Sequence, residues 1–257
     1  MLQALFRLIL MALFLCSATP AARAEPTLEE MIGQMLMVGF RGTSVTEADP
    51  IVRDIAQGRV GGVILFDYDV VLKKRGRNIT GPDQVKALVA SLKAHAETPL
   101  FIAVDEEGGR VSRFKESLGF PKTISAAALG SRNDPAFTQK AGAGIGKTLA
   151  SNGLNLDFAP VVDVNVNPDN PVIGKLDRSF SASPEKVALH AGAFIDGLHS
   201  QGVLSCVKHF PGHGSAWNDS HLGMADVTET WTRKELEPYA RLMAAHKVDM
   251  IMTAHVF

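Results

Sequence analysis

Apolar residues along this chain fall into two recurring patterns. Short, unbroken apolar or β-branched runs occupy residues 35–40, 60–66, 100–105, 156–164, 203–207 and 250–254. Runs of this length predict strands buried on both faces, the pattern of a parallel sheet. Between them the apolar positions spread out to helical spacing. Val85, Leu88, Val89 and Leu92 form one stripe, and Val187, Ala191, Phe194, Ile195 and Leu198 form another that Gly202 closes. Helix starts are marked too. Ser183 precedes Pro184, and the pairs Thr27/Glu30 and Thr232/Glu235 each have the spacing of a capping box. Such alternation predicts parallel strands joined by crossover helices, as a (β/α) barrel or a doubly wound sheet.

The polar residues at the strand ends choose between these. Asp105, Asp163, Lys208 and His255 each stand where an apolar run ends. A barrel gathers groups from several strand ends on one face, whereas a doubly wound sheet concentrates them at one switch point. The expected fold is therefore an α/β, (β/α)8 TIM-type barrel. Only six strands can be counted, and a barrel short of two strands would expose two sheet edges. The chain thus looks truncated after the sixth strand. The segment 142–148, rich in glycine and ending Lys147-Thr148, superficially resembles a phosphate loop. It sits inside a helical pattern and lacks the first glycine, because Ala141 stands there, so it reads as a close helix-packing surface.

Composition refines the outline. Residues 1–24 carry Arg7, an apolar core and Ala22-Arg23-Ala24 before Glu25, the form of a cleaved export signal. The apolar core is too short to span a membrane, and Leu15 before Cys16 argues against lipidation. The expected organisation is a signal peptide over 1–24 and a barrel domain over 25–257, incomplete at its C-terminus. The expected destination is the periplasm or the extracellular space, with no stable membrane span after cleavage. Without Arg7 and Arg23 the 26 basic residues become 24 against 27 acidic ones, a net charge of −3 that disfavours nucleic acid. Cys206 is then the sole cysteine, so no internal disulfide can form, and its apolar surroundings mark it as a small buried hydrophobe.

Candidate chemistry is concentrated in two segments. Lys208-His209-Phe210-Pro211-Gly212-His213-Gly214 follows an apolar strand, and its proline and glycines force a loop. Asp219-Ser220-His221 comes five residues later. A loop can bring the Asp219 carboxylate to the His221 imidazole, fixing its tautomer and supporting it as a proton carrier. A surface loop with two unrelated polar residues is the plain alternative. His213 fits either burial as a loop-stabilising group or direct substrate contact. The second segment is Asp105-Glu106-Glu107-Gly108-Gly109-Arg110-Val111-Ser112-Arg113, where a strand ends in acids, turns at two glycines and returns with arginines. A carboxylate and a guanidinium together can grip vicinal hydroxyls, one accepting and the other donating. His209, His213, His221, His255 and Asp219 offer enough ligands for zinc. However, His209 and His213 flank a Pro-Gly turn rather than sharing a helical face, and Lys208 adds an opposing charge. No metal and no cofactor is expected.

With these motifs in view, the chain resembles the N-terminal catalytic barrel of glycoside hydrolase family 3, in its β-N-acetylhexosaminidase branch. The resemblance runs from about Thr27 to Phe257. It rests on Gly61-Gly62-Val63-Ile64-Leu65-Phe66, the 105–113 loop, Leu156-Asp157-Phe158-Ala159-Pro160 with Asp163, Asp177-Arg178-Ser179-Phe180, the 208–214 loop and Asp219-Ser220-His221. It implies that His221 protonates the leaving oxygen and later activates water, with Asp219 orienting it. Asp105, Arg113, Arg178, Lys208 and His209 would hold the hydroxyls of a terminal N-acetylglucosamine. The implied partner is an N-acetylglucosamine-containing oligosaccharide from cell wall or chitin, processed with retention through an aspartate nucleophile. Family members carry that aspartate on the next barrel strand, beyond Phe257, so this chain alone is expected to be inactive, with Asp163 as the one substitute available. A β-glucosidase-type enzyme and a non-catalytic sugar-binding barrel are the alternatives. The basic loop 67–80, with Lys73-Lys74-Arg75, is longer than compact members need.

Overall fold

The computed structural model describes residues 25–219 and 222–257. Residues 1–24, expected to form an export signal, and His221 lie outside the described residues. Six parallel strands form one curled sheet: β1 Met37–Gly39, β2 Gly62–Ile64, β5 Phe101–Val104, β6 Leu156–Asp157, β7 Leu204–Phe210 and β8 Met250–Thr253. Their spatial order is their chain order, so each strand pairs with the next in this series. Helices cover the outer face, as barrel topology requires. The expected α/β barrel is observed, as a half-barrel of six strands.

Strand alternation explains the two apolar layers. Val63, Ile102, Val104 and Val207 face the helices and join Val85, Leu88, Leu92, Phe194 and Leu198 in one continuous core. The alternate residues Ala103, Leu156 and Cys206 face inward with Ile64, Phe101, Phe158 and Met252. Burial at Cys206 pushes its thiol up to about 11, which suits a packing role. Both helical stripes are buried as expected. The helix Pro135–Ser151 contains the glycine-rich segment and packs against the helix Pro184–His199. A Cβ on Gly142 would lie 2.4 Å from the Phe194 carbonyl, and one on Gly197 2.3 Å from that of Gln139. The small residues there are a helix-packing device. Met35 and Leu36, just before edge strand β1, and Ile251 in edge strand β8 are exposed.

Four local expectations need correction. The fourth run was expected to be extended over 156–164 but pairs regularly only at Leu156–Asp157, because Pro160 has no N–H to donate. The fifth runs past its expected end at Val207, since Phe210 pairs with Thr253 of β8 across a local irregularity. The basic loop 67–80 contains a small antiparallel ribbon, β3 Tyr68–Asp69 and β4 Lys74–Arg75. Of the two capping boxes, only Thr27/Glu30 forms, with both reciprocal hydrogen bonds. Thr232 makes no side-chain cap, and Glu235 is fully buried. Its carboxylate accepts from the Gly214 N–H at 2.9 Å, a tertiary partner that outcompetes the local one.

Candidate active site

The site is built at the C-terminal ends of β5, β6 and β7. Beyond β5, backbone extension places Asp105 and Glu107 on the same side and Glu106 on the other. Gly108 and Gly109 then turn the chain at φ +85° and +64°. Side chains there would strike the Ile124 carbonyl at 2.4 Å and Ser125 Cβ at 2.5 Å. The turn returns Arg113, whose Nη2 lies 3.7 Å from Asp105 Oδ2. From β7 comes Lys208, 1% exposed. Its Nζ bonds Asp105 Oδ1 at 2.8 Å and Glu107 Oε1 at 2.6 Å.

Arg178 completes the chain of charges. It grips Glu107 bidentately, Nε and Nη2 each at 2.7 Å, and donates from Nη1 to the Val172 carbonyl at 2.8 Å. Its Nη2 also lies 3.2 Å from His209 Nε2. Arginine has only donors, so His209 Nε2 accepts, and Nδ1 carries the proton that Asp163 Oδ2 receives at 2.6 Å. One network therefore runs Asp105, Lys208, Glu107, Arg178, His209, Asp163. Burial alone would raise the Glu107 carboxyl, but the Lys208 charge and the Arg178 bonds bring it down to about 2. Burial would likewise lower Lys208, yet Glu107 and Asp105 hold it above its ordinary value. Asp163 follows the same logic. Its burial is overridden by His209 and by hydrogen bonds, and it sits below the usual carboxylate value.

Glu106 and Asp157 behave in the opposite way behind this wall. Glu106 accepts from Ser112 Oγ and from the Arg113 and Phe114 N–H groups. Burial nevertheless pushes it up to about 7. Asp157 accepts from the Glu106 N–H at 3.0 Å and is raised well above its ordinary value, first by burial and also by the Glu106 charge. Residues 106 and 107, adjacent in sequence, are thus shifted in opposite directions because only Glu107 is ion-paired by Lys208 and Arg178.

A cavity of about 660 Å³ opens over the network. Asp105, Arg113, Arg178, Lys208, His209 and Asp219 all line it, with Glu107, Phe158, His213, Met252, Thr253 and His255. The structure therefore brings together every expected site residue that it describes. Glu107 was missed; the signal available was its position two residues beyond Asp105, which puts both on one face. Asp163, the expected substitute nucleophile, does not line the cavity and is fully buried. Both of its oxygens are engaged, Oδ1 by the His213 N–H at 2.8 Å. A second cavity of about 570 Å³ lies among Met31, Gln34, Ile55, Val60 and Leu100, and its lining includes no Lys, Arg or His. Barrels keep their chemistry at the C-terminal ends of the strands, and the charged cavity meets that condition.

Fold and site together define a (β/α) barrel with an ion-paired cleft at the C-terminal ends of its strands. The glycosyl hydrolase family 3 N-terminal domain profile matches residues 27–257, and the chain belongs to that family. Beta-hexosaminidase from Tolumonas auensis is 42% identical over 227 residues, covering 86% of this chain and 63% of its own length. Beta-hexosaminidase A from Pseudoalteromonas piscicida is 35% identical over 268 residues, covering 95% of this chain and 43% of its own. Among solved structures, a family 3 β-N-acetylglucosaminidase from Paenibacillus sp. superposes with a TM-score of 0.80 at 37% identity, covering 91% of this chain and 43% of that one. NagZ from Neisseria gonorrhoeae, in complex with N-trifluoroacetyl-D-glucosamine, gives 0.75 at 33% identity, with 86% and 63% covered. The chain thus spans between 43% and 63% of the length of these relatives.

Proposed function

We propose that the whole protein is an exo-acting, retaining β-N-acetylhexosaminidase. It removes terminal N-acetyl-β-glucosaminide units from cell-wall or chitin-derived oligosaccharides, outside the cytoplasm. The observation that carries this reading is the convergence of Asp219, first residue of Asp219-Ser220-His221, on the cavity lined by Asp105, Arg113, Arg178 and Lys208. The names of the relatives, and the N-acetylglucosamine analogue bound by the gonococcal protein, support the same sugar.

Each group then has a physical task. Asp105 accepts from sugar hydroxyls while Lys208 and Arg113 donate to them. Their mutual ion pairs preset this grip, so little reorganisation is needed on binding. His221, oriented by Asp219, protonates the departing oxygen and then takes a proton from the attacking water. Retention needs a nucleophile on the opposite face of the sugar. Asp163 is unsuited to that task because it is sealed from the cavity and saturated with donors. We assign the attack to an aspartate not contained in residues 25–257.

The test is a comparison of 4-nitrophenyl N-acetyl-β-glucosaminide with 4-nitrophenyl β-glucoside on the full-length protein. The expected kcat/KM ratio favours the N-acetyl sugar by at least 100-fold. Comparable values would assign a different sugar specificity, and binding without turnover would make the domain a sugar-binding barrel.

A further inference from the structure

The loop that leads to Asp219 has a stem whose backbone is fastened at nearly every polar group. The Pro211 carbonyl accepts from Trp231 Nε1, and the His213 carbonyl from Asn170 Nδ2 at 2.7 Å. The Gly214 carbonyl accepts from the Asn167 N–H, and the Ala216 carbonyl from Asn167 Nδ2. Two carboxylates hold the N–H groups: Asp163 takes that of His213 at 2.8 Å, and Glu235 takes that of Gly214 at 2.9 Å. Asp163 belongs to the network around His209. Glu235 does not line the cavity; it comes from the turn Arg233–Leu236.

Steric contacts show how closely the loop is seated on Glu235. A Cβ on Gly212 would lie 2.5 Å from Glu235 Cβ and 2.8 Å from its Oε2. A Cβ on Gly214 would lie 1.7 Å from the Val164 carbonyl and 3.3 Å from Glu235 Oε2. The two glycines flanking His213 are therefore the residues that let the stem press against Val164 and Glu235. A fully buried carboxylate is costly to keep, and burial raises its protonation range. It occupies a position where a local capping role was open to it at Thr232, and it spends its reach on Gly214 instead.

We propose that Glu235 is the positioning residue of the acid/base loop, setting through Gly214 where Asp219 and His221 stand relative to the glycosidic oxygen. This rests on the reading of His221 as the proton carrier. Proton transfer demands hydrogen-bond reach between carrier and oxygen, so a displaced loop penalises only substrates that need the proton. A misplacement of about 1 Å can cost on the order of 100-fold. Hydroxyl grip on the Asp105–Lys208 side is independent of this anchor. Reach matters here more than charge, because Glu235 faces a neutral N–H.

The experiment uses the full-length protein with Glu235→Asp, Glu235→Gln and His221→Ala. Each is assayed on 4-nitrophenyl and on phenyl N-acetyl-β-glucosaminide, with inhibition by free N-acetylglucosamine as a measure of grip. Glu235→Asp keeps the charge but withdraws the carboxylate by one methylene. It should lower kcat/KM about 10-fold on the phenyl glycoside and less than 3-fold on the nitrophenyl one, leaving the inhibition constant unchanged. Glu235→Gln keeps an acceptor within reach of Gly214 and should stay within about 3-fold on both. If His221→Ala shows the leaving-group dependence while Glu235→Asp slows both substrates equally, weakens inhibition or changes nothing, the positioning role is wrong. If His221→Ala itself shows no such dependence, the acid/base reading fails and this inference falls with it.

Discussion

The two walls of the cleft are held by different forces. The wall formed by Asp105, Glu107, Arg178 and Lys208 is fixed by side-chain ion pairs, with every charge answered within 3 Å. A second wall, the loop stem 211–216 that contributes His213 to the lining and leads to Asp219, is fixed through backbone N–H and carbonyl groups. A wall of charges gives a rigid set of donors and acceptors, which suits recognition of a polyol. A backbone-held stem keeps the roots of a loop fixed through its main chain rather than through its ionisable side chains, which suits a group that must change protonation. The difference implies that damage to the first wall should reach the fold itself, whereas damage to the second should reach chiefly the chemistry.

The largest effect should come from Lys208→Met. It removes the cation shared by two buried or half-buried carboxylates, Asp105 and Glu107, and leaves only the longer Arg113 contact for the first and Arg178 for the second. Breaking a buried pair by removing one partner costs about 3–5 kcal/mol. For a domain of this size that is a Tm loss on the order of 10 °C, accompanied by loss of N-acetylglucosamine inhibition. Thermal melting and inhibition titration measure the two. A Lys208→Met protein that melts like the wild type would show that burial, not the ion network, holds this wall.

A smaller effect is expected from Asp163→Ala, which joins the walls through His209 and His213. The carboxylate is buried, so its removal should loosen two histidines rather than delete a nucleophile. Activity should fall on the order of 10- to 100-fold, the scale of a geometric displacement. Added azide should not restore it, because no vacancy opens toward the anomeric carbon. Rescue by azide with a glycosyl azide product would instead make Asp163 the nucleophile.

How far these walls could be read from sequence differs between them. Asp105 and Lys208 were legible because each ends an apolar run, and strand ends in a barrel converge. Glu107 was not, because three consecutive acids before two glycines look like a solvated turn, and only its shared parity with Asp105 betrays it. The stem was partly legible: the glycines around His213 implied a tight path, which the contacts with Val164 and Glu235 explain. Glu235 itself was misread, since Thr-x-x-Glu before a helix carries the same local signal whether or not the glutamate turns away to a distant partner. The shortened β6 and the 68–75 ribbon show the same limit. Apolar runs and basic loops state local preference, while pairing partners far along the chain decide where hydrogen bonds end.

The smallest effect sharpens the point that cations, rather than burial, order the charged wall. Glu106 is as deeply buried as its neighbour but lacks the ion pairs with Lys208 and Arg178 that Glu107 makes, and burial pushes its carboxyl up to about 7 against an ordinary 4.5. Between pH 4.5 and 7 the folded chain therefore holds a proton that the unfolded chain releases. Stability from this group is full below that window and declines as pH rises through it. Glu106→Gln mimics the protonated form and can still accept from Ser112 Oγ and the N–H groups of Arg113 and Phe114. It should change Tm little at pH 4.5 and raise it at pH 8, by roughly 2–4 °C for each kcal/mol recovered. Glu107→Gln should do the reverse at pH 8, because Glu107 is ionised there and holds Lys208 and Arg178. Melting curves of both variants across pH 4.5 to 8 make the measurement. If the two shifts had the same sign at pH 8, ion pairing would not be what distinguishes these adjacent carboxylates.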